Sequence, residues 1–328
     1  MKTAIVVTPE FESIWPFVAD QLHRLLEPSI EVELVRPTSD EARSVAQIVS
    51  DPEQLERLIA LGIGLTEADL DTLPALREVA ASLGYEEPPG LAESLAARKI
   101  RRVGHDTEGF WAQSVAEFAL GLTIGALRRI PQRHQALIAG QDAWQYEAQQ
   151  YSDDSRFSNG TISGKRVRIV GAGNIASRYA AFTHMIGADV AAWDPYAPEL
   201  AFHRSGARRE HFAERLVTDA EIFAPMVPLT AGTQGLVTAE LIRRLPTGCL
   251  VILATRAKIV DTEELRRRVI ADELSLAADV FDLEPLPSDD ALLGRANVVH
   301  TPHIAGRTRD SNHRWAEMLV EQFADYQR

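Results

Sequence analysis

The sequence predicts an α/β fold made of two doubly wound domains. Three observations point there. Short apolar runs alternate with helical patterns in two series, one before about residue 107 and one from about residue 165 to 300. Strands that alternate with helices build parallel sheets covered on both faces. A polar, Ser- and Asp-rich stretch, residues 141–161, separates the two series, and a glycine-rich turn opens the second.

Taken in order, residues 4–7 (Ala-Ile-Val-Val) read as a buried strand. Residues 15–26 read as a helix with Trp15, Val18, Leu22 and Leu26 along one face, and residues 31–35 as a second strand. Residues 76–81 and 99–103 read as further strands. A long helix is expected over 111–129, where Trp111, Val115, Phe118 and Leu122 recur at helical spacing. Ala116, Ala119, Leu120, Ile124 and Leu127 cover its other faces, and a helix apolar all round is buried between domains or subunits. In the second series, residues 167–170, 189–193, 250–255, 277–281 and 298–300 read as strands, and residues 175–186 as a helix ended by Gly187.

The composition narrows the function classes. Of 328 residues, 45% are hydrophobic and 25% charged, which suits a globular chain with a sizeable core. Thirty-four basic residues face 47 acidic ones, a net charge of −13, and no basic patch suggests nucleic acid. Cys249 is the single cysteine, so an internal disulfide and a thiolate metal cluster are excluded and a reducing, cytoplasmic setting is expected. No metal site is expected. The N-terminal apolar run is too short for a signal peptide, and Pro225, Pro228, Gly232 and Gly235 break the one long stretch poor in charge, residues 222–239. No membrane association is expected.

The sharpest local signal is Gly171-Ala172-Gly173-Asn174-Ile175-Ala176, between a strand and a helix. It has the G-x-G-x-x-A form of the dinucleotide-binding fingerprint of Rossmann folds. Gly171 permits the tight turn, Gly173 lets backbone approach a pyrophosphate, and Ala176 keeps helix and strand close. The amides of Asn174 and Ile175 would bind phosphate at the helix start. Asp194 follows a second strand, 21 residues beyond Gly173. A carboxylate there suits the ribose 2′-hydroxyl of NAD and repels the 2′-phosphate of NADP.

Arg256, Glu284 and His303 each fall just beyond an expected strand end, where open parallel sheets bind ligands. Each alone has a plainer reading as a surface ion pair, a loop charge or a structural histidine. Together they suit one chemistry. The run Leu253-Ala254-Thr255-Arg256-Ala257-Lys258-Ile259-Val260-Asp261, the run Asp279-Val280-Phe281-Asp282-Leu283-Glu284-Pro285, and Thr301-Pro302-His303-Ile304-Ala305-Gly306 resemble the D-2-hydroxyacid dehydrogenase family. Ser114-Val115-Ala116-Glu117, Gly164-Lys165 and Pro228-Leu229-Thr230 agree with it.

The resemblance implies two Rossmann-like domains with a cleft. The flavodoxin-like substrate domain would take residues 1–107 plus 300–328, and the NAD-binding domain residues 108–299, including a dimerisation helix and arm. It implies a homodimer and an NAD-dependent interconversion of a D-2-hydroxy acid and its 2-oxo acid. Arg256 would grip the substrate carboxylate with its planar fork. His303 would be the acid–base group, and Glu284 its hydrogen-bonding partner. By the same resemblance, Pro228, Ala254, Arg256, Asp279 and His303 would line the nicotinamide end of the cofactor, and the amides of Leu83 and Gly84 would contact the substrate carboxylate. Ala257 stands where the family has glycine, and residues 83–90 depart from the family pattern, so substrate identity is not implied. Formate and phosphite dehydrogenases share the fold, as do NAD(H)-sensing corepressors of the C-terminal-binding-protein type. Glu284 disfavours the first, and the absence of long polar tails disfavours the last.

Overall fold

Two all-parallel sheets organise the chain, each in its own unit: Met1–Phe110 with Arg307–Arg328, and Trp111–Gly306. The computed structural model describes residues 1–28, 30–38, 44–83, 90–104, 109–141, 144, 151 and 153–323.

The first sheet contains β1 (Thr3–Val7), β2 (Val32–Val35), β3 (Arg57–Leu61), β4 (Glu78–Leu83) and β5 (Arg101–Arg102), in the order β2-β1-β3-β4-β5. That is the flavodoxin-like order. Because side chains alternate across a strand, β1 feeds two cores. Ala4 and Val6 join Leu58, Ala60, Val79 and Leu91 on one face. Ile5 and Val7 join Leu22, Ile59, Leu61 and Trp315 on the other. The helices Val18–Leu26 and Arg309–Val320 cover that second face with Leu22, Leu26, Trp315 and Leu319.

The sequence reading passes over β3 because Arg57 opens it. In the sheet Arg57 is fully buried and donates from Nε and Nη2 to Glu78 Oε2 at 2.8 and 2.6 Å. Arg101 Nε reaches the other oxygen at 2.7 Å, and the Arg57 guanidinium stacks 4.2 Å from the Phe323 ring centroid. Removing one member of a buried ion pair leaves an uncompensated charge, at a cost of about 3–5 kcal/mol. Glu78→Leu is therefore expected to lower unfolding stability by about that amount in urea titrations, and adding Arg57→Met should recover most of it. A single variant as stable as the parent would show that the pair is not holding β3 to β4.

The second sheet contains β6 (Arg166–Val170), β7 (Asp189–Trp193), β8 (Arg208–Arg209), β9 (Ile222–Pro225), β10 (Leu250–Leu253), β11 (Ser275–Ala278) and β12 (Val298–His300). Its order, β12-β11-β10-β9-β6-β7-β8, reverses direction at β6/β9, the switch point at which Rossmann folds bind dinucleotides. Alternation again divides the cores: Val167, Ile169, Ala224 and Ile252 face one way, and Val170, Phe223, Val251 and Leu276 the other. Pro225 closes β9. The ladder to β6 runs on through Pro225 opposite Val170, and Met226 N then donates to Val170 O at 2.8 Å.

The long helix spans Ala112–Leu127 and lies on the first of these faces, burying Val115, Ala116, Ala119, Leu122 and Leu127. Thr123 Oγ1 meets the buried Tyr179 hydroxyl at 2.8 Å, tying this helix to the one over Asn174–Met185. Arg129, at φ +52°, ends the run, and a further helix, Ile130–Ala139, follows where the sequence suggested none. Two other boundaries differ. The expected strand 277–281 is Ser275–Ala278, which frees Asp279 onward for a loop. The chain leaves the larger unit at residue 307 rather than 300. Ser114 Oγ donates to Ala305 O at 2.6 Å, and Asp279 accepts from Ile304 and Ala305, so the segment around His303 is fastened to the larger unit.

Candidate active site

The glycine turn lies where β6 ends. Gly171 has φ +109°, and a Cβ there would come within 2.8 Å of the Met226 carbonyl, so only glycine fits between β6 and the chain leaving β9. Gly173 differs: a Cβ built on it meets nothing within 4 Å. It borders open space at the start of the helix Asn174–Met185, whose first turn has no side-chain cap and no acidic residue. The uncapped amides of Asn174 and Ile175 therefore face that space with the positive end of the helix dipole. Those are the features an anion-bearing dinucleotide needs, and the residues present fit NAD.

Asp194 is brought to the same turn because β6 and β7 pair in register, Val170 opposite Trp193. Its Oδ2 accepts from Ala172 N at 2.9 Å, and Oδ1 accepts from Tyr196 N and Ala197 N at 2.9 and 3.1 Å. A carboxylate has about four acceptor sites. Asp194 thus braces the glycine turn through three of those sites.

The second cluster gathers at the ends of β10 and β11. A cavity of about 250 Å³ is lined by Arg256, Lys258, Asp282, Glu284, His303 and Leu229, among others. His303 Nδ1 lies 2.7 Å from Glu284 Oε2. Glu284 Oε1 accepts from Phe281 N at 2.8 Å, which fixes the carboxylate. An ionised carboxylate only accepts, so beside one Nδ1 would carry the imidazole proton and Nε2 would be the ring nitrogen left for chemistry. His303 itself has φ +55°, a left-handed conformation uncommon for residues with a side chain.

Asp279 explains how that conformation is held. Its carboxylate is fully buried; Oδ1 accepts from Thr301 Oγ1 at 2.6 Å and Ile304 N at 3.0 Å, and Oδ2 from Ala305 N at 2.8 Å. The carboxylate lies beneath the His303 loop and clamps both sides of the strained residue. Arg256 is exposed on extended backbone, φ −147°, and its Nη1 donates to Thr255 O at 2.7 Å; among the described residues the rest of the guanidinium has no hydrogen-bond partner.

The remaining expected site residues divide. Ala254 is buried just past β10, and Pro228 is exposed, its carbonyl accepting from Thr233 Oγ1 at 2.5 Å. Leu83 ends β4, whereas Gly84 lies outside the described residues. Lys258, which carries no sequence signal of its own, joins the cavity two positions after Arg256 on a short 3₁₀ turn, Ala257–Ile259. Cys249 is no nucleophile: it is buried, and burial pushes its thiol up. Among the described residues no cluster of His, Cys, Asp and Glu could hold a metal, and no helix is long and apolar enough to cross a membrane.

Comparison with known proteins gives concordant matches. The model of the D-isomer specific 2-hydroxyacid dehydrogenase NAD binding domain matches residues 120–305. A hydroxypyruvate reductase of Thermotoga maritima is 26% identical over 307 residues, covering 92% of this chain and 86% of that protein. A glyoxylate reductase of Korarchaeum cryptofilum is 26% identical over 308 residues, covering 92% and 88%. The crystal structure of a phosphoglycerate oxidoreductase from Rhizobium etli superposes with a TM-score of 0.74 at 23% identity, over 98% of this chain and 93% of that one, a likeness of fold.

Proposed function

The chain belongs to the D-isomer specific 2-hydroxyacid dehydrogenase family, and on that premise we propose that it interconverts a D-2-hydroxy acid and its 2-oxo acid through Arg256, Glu284 and His303. The observation that carries this reading is the 2.7 Å His303–Glu284 pair, opening on one cavity with the free face of Arg256.

The roles follow from the groups themselves. Arg256 takes the substrate carboxylate bidentately, which sets the neighbouring C2 oxygen toward His303. In reduction, His303 Nε2–H donates to the C2 carbonyl oxygen and gives up its proton as negative charge develops there. In oxidation, the neutral Nε2 takes the proton of the C2 hydroxyl. Glu284 holds Nδ1–H, so the ring presents Nε2 in both directions and the imidazolium formed is compensated. NAD, when bound at the glycine turn, supplies the hydride or accepts it. A panel of 2-oxo acids with NADH, followed by loss of nicotinamide absorbance, tests the reading. It is overturned if NADH binds and no 2-oxo acid is reduced.

Asp194 gives a cofactor expectation. Its carboxylate repels a 2′-phosphate, so kcat/KM with NADH should exceed that with NADPH at least about tenfold, or about 1.4 kcal/mol. Asp194→Ala should narrow that ratio. It should also weaken NADH binding, because three backbone amides around the glycine turn lose their acceptor. Equal use of both cofactors by the parent enzyme would remove Asp194 from the ribose site.

The assembly we propose is a homodimer. Ile124, Ile130, Leu137 and Ile138 are exposed on two consecutive helices, Ile138 by 68%, which supports a partner there. Light scattering at the mass of a single 36.2 kDa chain would exclude it.

A further inference from the structure

We propose that Lys258 is a specificity-determining residue that selects substrates carrying a second anionic group on C3, whether carboxylate, sulfonate or phosphate ester. This rests on the reading of the same cavity as the site of 2-oxo acid reduction. Three observations carry it.

Arg256 and Lys258 open on the same cavity. On the turn after β10 the exposed residues Arg256 and Lys258 alternate with Ala257 and Ile259, which are buried at 5% and 0% exposure. Both cations line the one cavity of about 250 Å³ that also holds His303.

Glu284, the carboxylate beside His303, is committed and Lys258 is not. Glu284 is held by His303 and the Phe281 amide, while Asp282 lies 3.5 Å from Arg266, which pairs more closely with Asp290 at 2.6 Å. Among the described residues, Lys258 makes no side-chain hydrogen bond and no ion pair, while its backbone carbonyl accepts from Gly235 N at 2.9 Å. The turn is thus fixed and the ammonium left over.

A simple 2-oxo acid has one carboxylate, which Arg256 satisfies. The Lys258 ammonium, exposed and hydrated in the free enzyme, gains an anionic partner at the substrate only when the substrate brings a second negative charge. An ammonium is a compact point charge with three rotatable donors, so it accepts carboxylate, sulfonate and phosphate oxygens alike and does not demand the planar match of a guanidinium. Arg256 therefore orients the reacting end, and Lys258 reads the far end.

The test compares kcat/KM for oxaloacetate with that for 4-methyl-2-oxopentanoate, a near-isostere bearing two methyl groups in place of two oxygens. 3-Sulfopyruvate and 3-phosphohydroxypyruvate serve as further arms that identify the preferred anion. The parent enzyme is expected to favour at least one dianion over the isostere by about tenfold or more, the factor that 1.4 kcal/mol represents. Lys258→Met should reduce that ratio about tenfold, and Lys258→Arg should retain it. A ratio unchanged in Lys258→Met, or a parent enzyme with no preference for any dianion, overturns the role of Lys258 and leaves the reductase reading standing. Failure to reduce any 2-oxo acid while NADH binds overturns both.

Discussion

His303→Ala is expected to lower kcat for 2-oxo acid reduction by about 10³-fold, within the range a positioned acid–base group contributes. NADH binding, followed by fluorescence, should persist, because the glycine turn and Asp194 involve none of the His303 contacts. The large effect has a structural basis. His303 is kept at φ +55° by a buried carboxylate that clamps Thr301, Ile304 and Ala305, and its ring is aimed by Glu284. A residue in a sparsely populated backbone region costs about 1–3 kcal/mol and persists only where its surroundings over-determine it. Here the surroundings do so and the strained residue is the proposed proton carrier. Glu284→Gln should give a smaller loss in the same direction, since an amide can still reach Nδ1 but no longer compensates an imidazolium. If His303→Ala keeps more than a tenth of the parent kcat, another group moves the proton.

How far the sequence reveals this site depends on which contacts are local. The glycine turn, the helix it opens and Asp194 are legible because a fingerprint of six residues and a spacing of 21 follow from one strand–helix–strand unit, and the register of β6 on β7 turns that spacing into contact. Arg256, Glu284 and His303 are legible as a set through their positions after strands, and two of them do meet at 2.7 Å. The clamp that Asp279 puts on the His303 loop is not legible, because only the fold brings its carboxylate under Thr301, Ile304 and Ala305. β3 is hidden for a related reason. A charged residue opening an apolar run argues against a buried strand until a partner 21 positions away neutralises it. Lys258 is hidden because an exposed lysine on a turn is common, and its meaning comes from the cavity it shares with Arg256 and His303.

Arg256→Lys is expected to cost about 10²-fold in kcat/KM for every 2-oxo acid, or about 2.7 kcal/mol, although the charge is preserved. A guanidinium meets a carboxylate with two parallel N–H donors in one plane; an ammonium offers a single point of attachment and lets the carboxylate rotate. Orientation is what the site requires, because the C2 oxygen must lie at hydrogen-bonding distance from His303 Nε2 when the proton moves. The extended backbone at Arg256 and the 2.7 Å bond from Nη1 to the Thr255 carbonyl already restrict where the fork points, and a lysine keeps the first restraint but loses the second. The loss should therefore fall on kcat as well as KM. Arg256→Ala supplies the control: added guanidinium ion should restore part of its turnover by occupying the vacated space, a response that a purely structural arginine would not give. Near-parental kcat/KM in Arg256→Lys, together with no rescue of Arg256→Ala, would remove Arg256 from the substrate and leave the carboxylate to a group elsewhere in the chain.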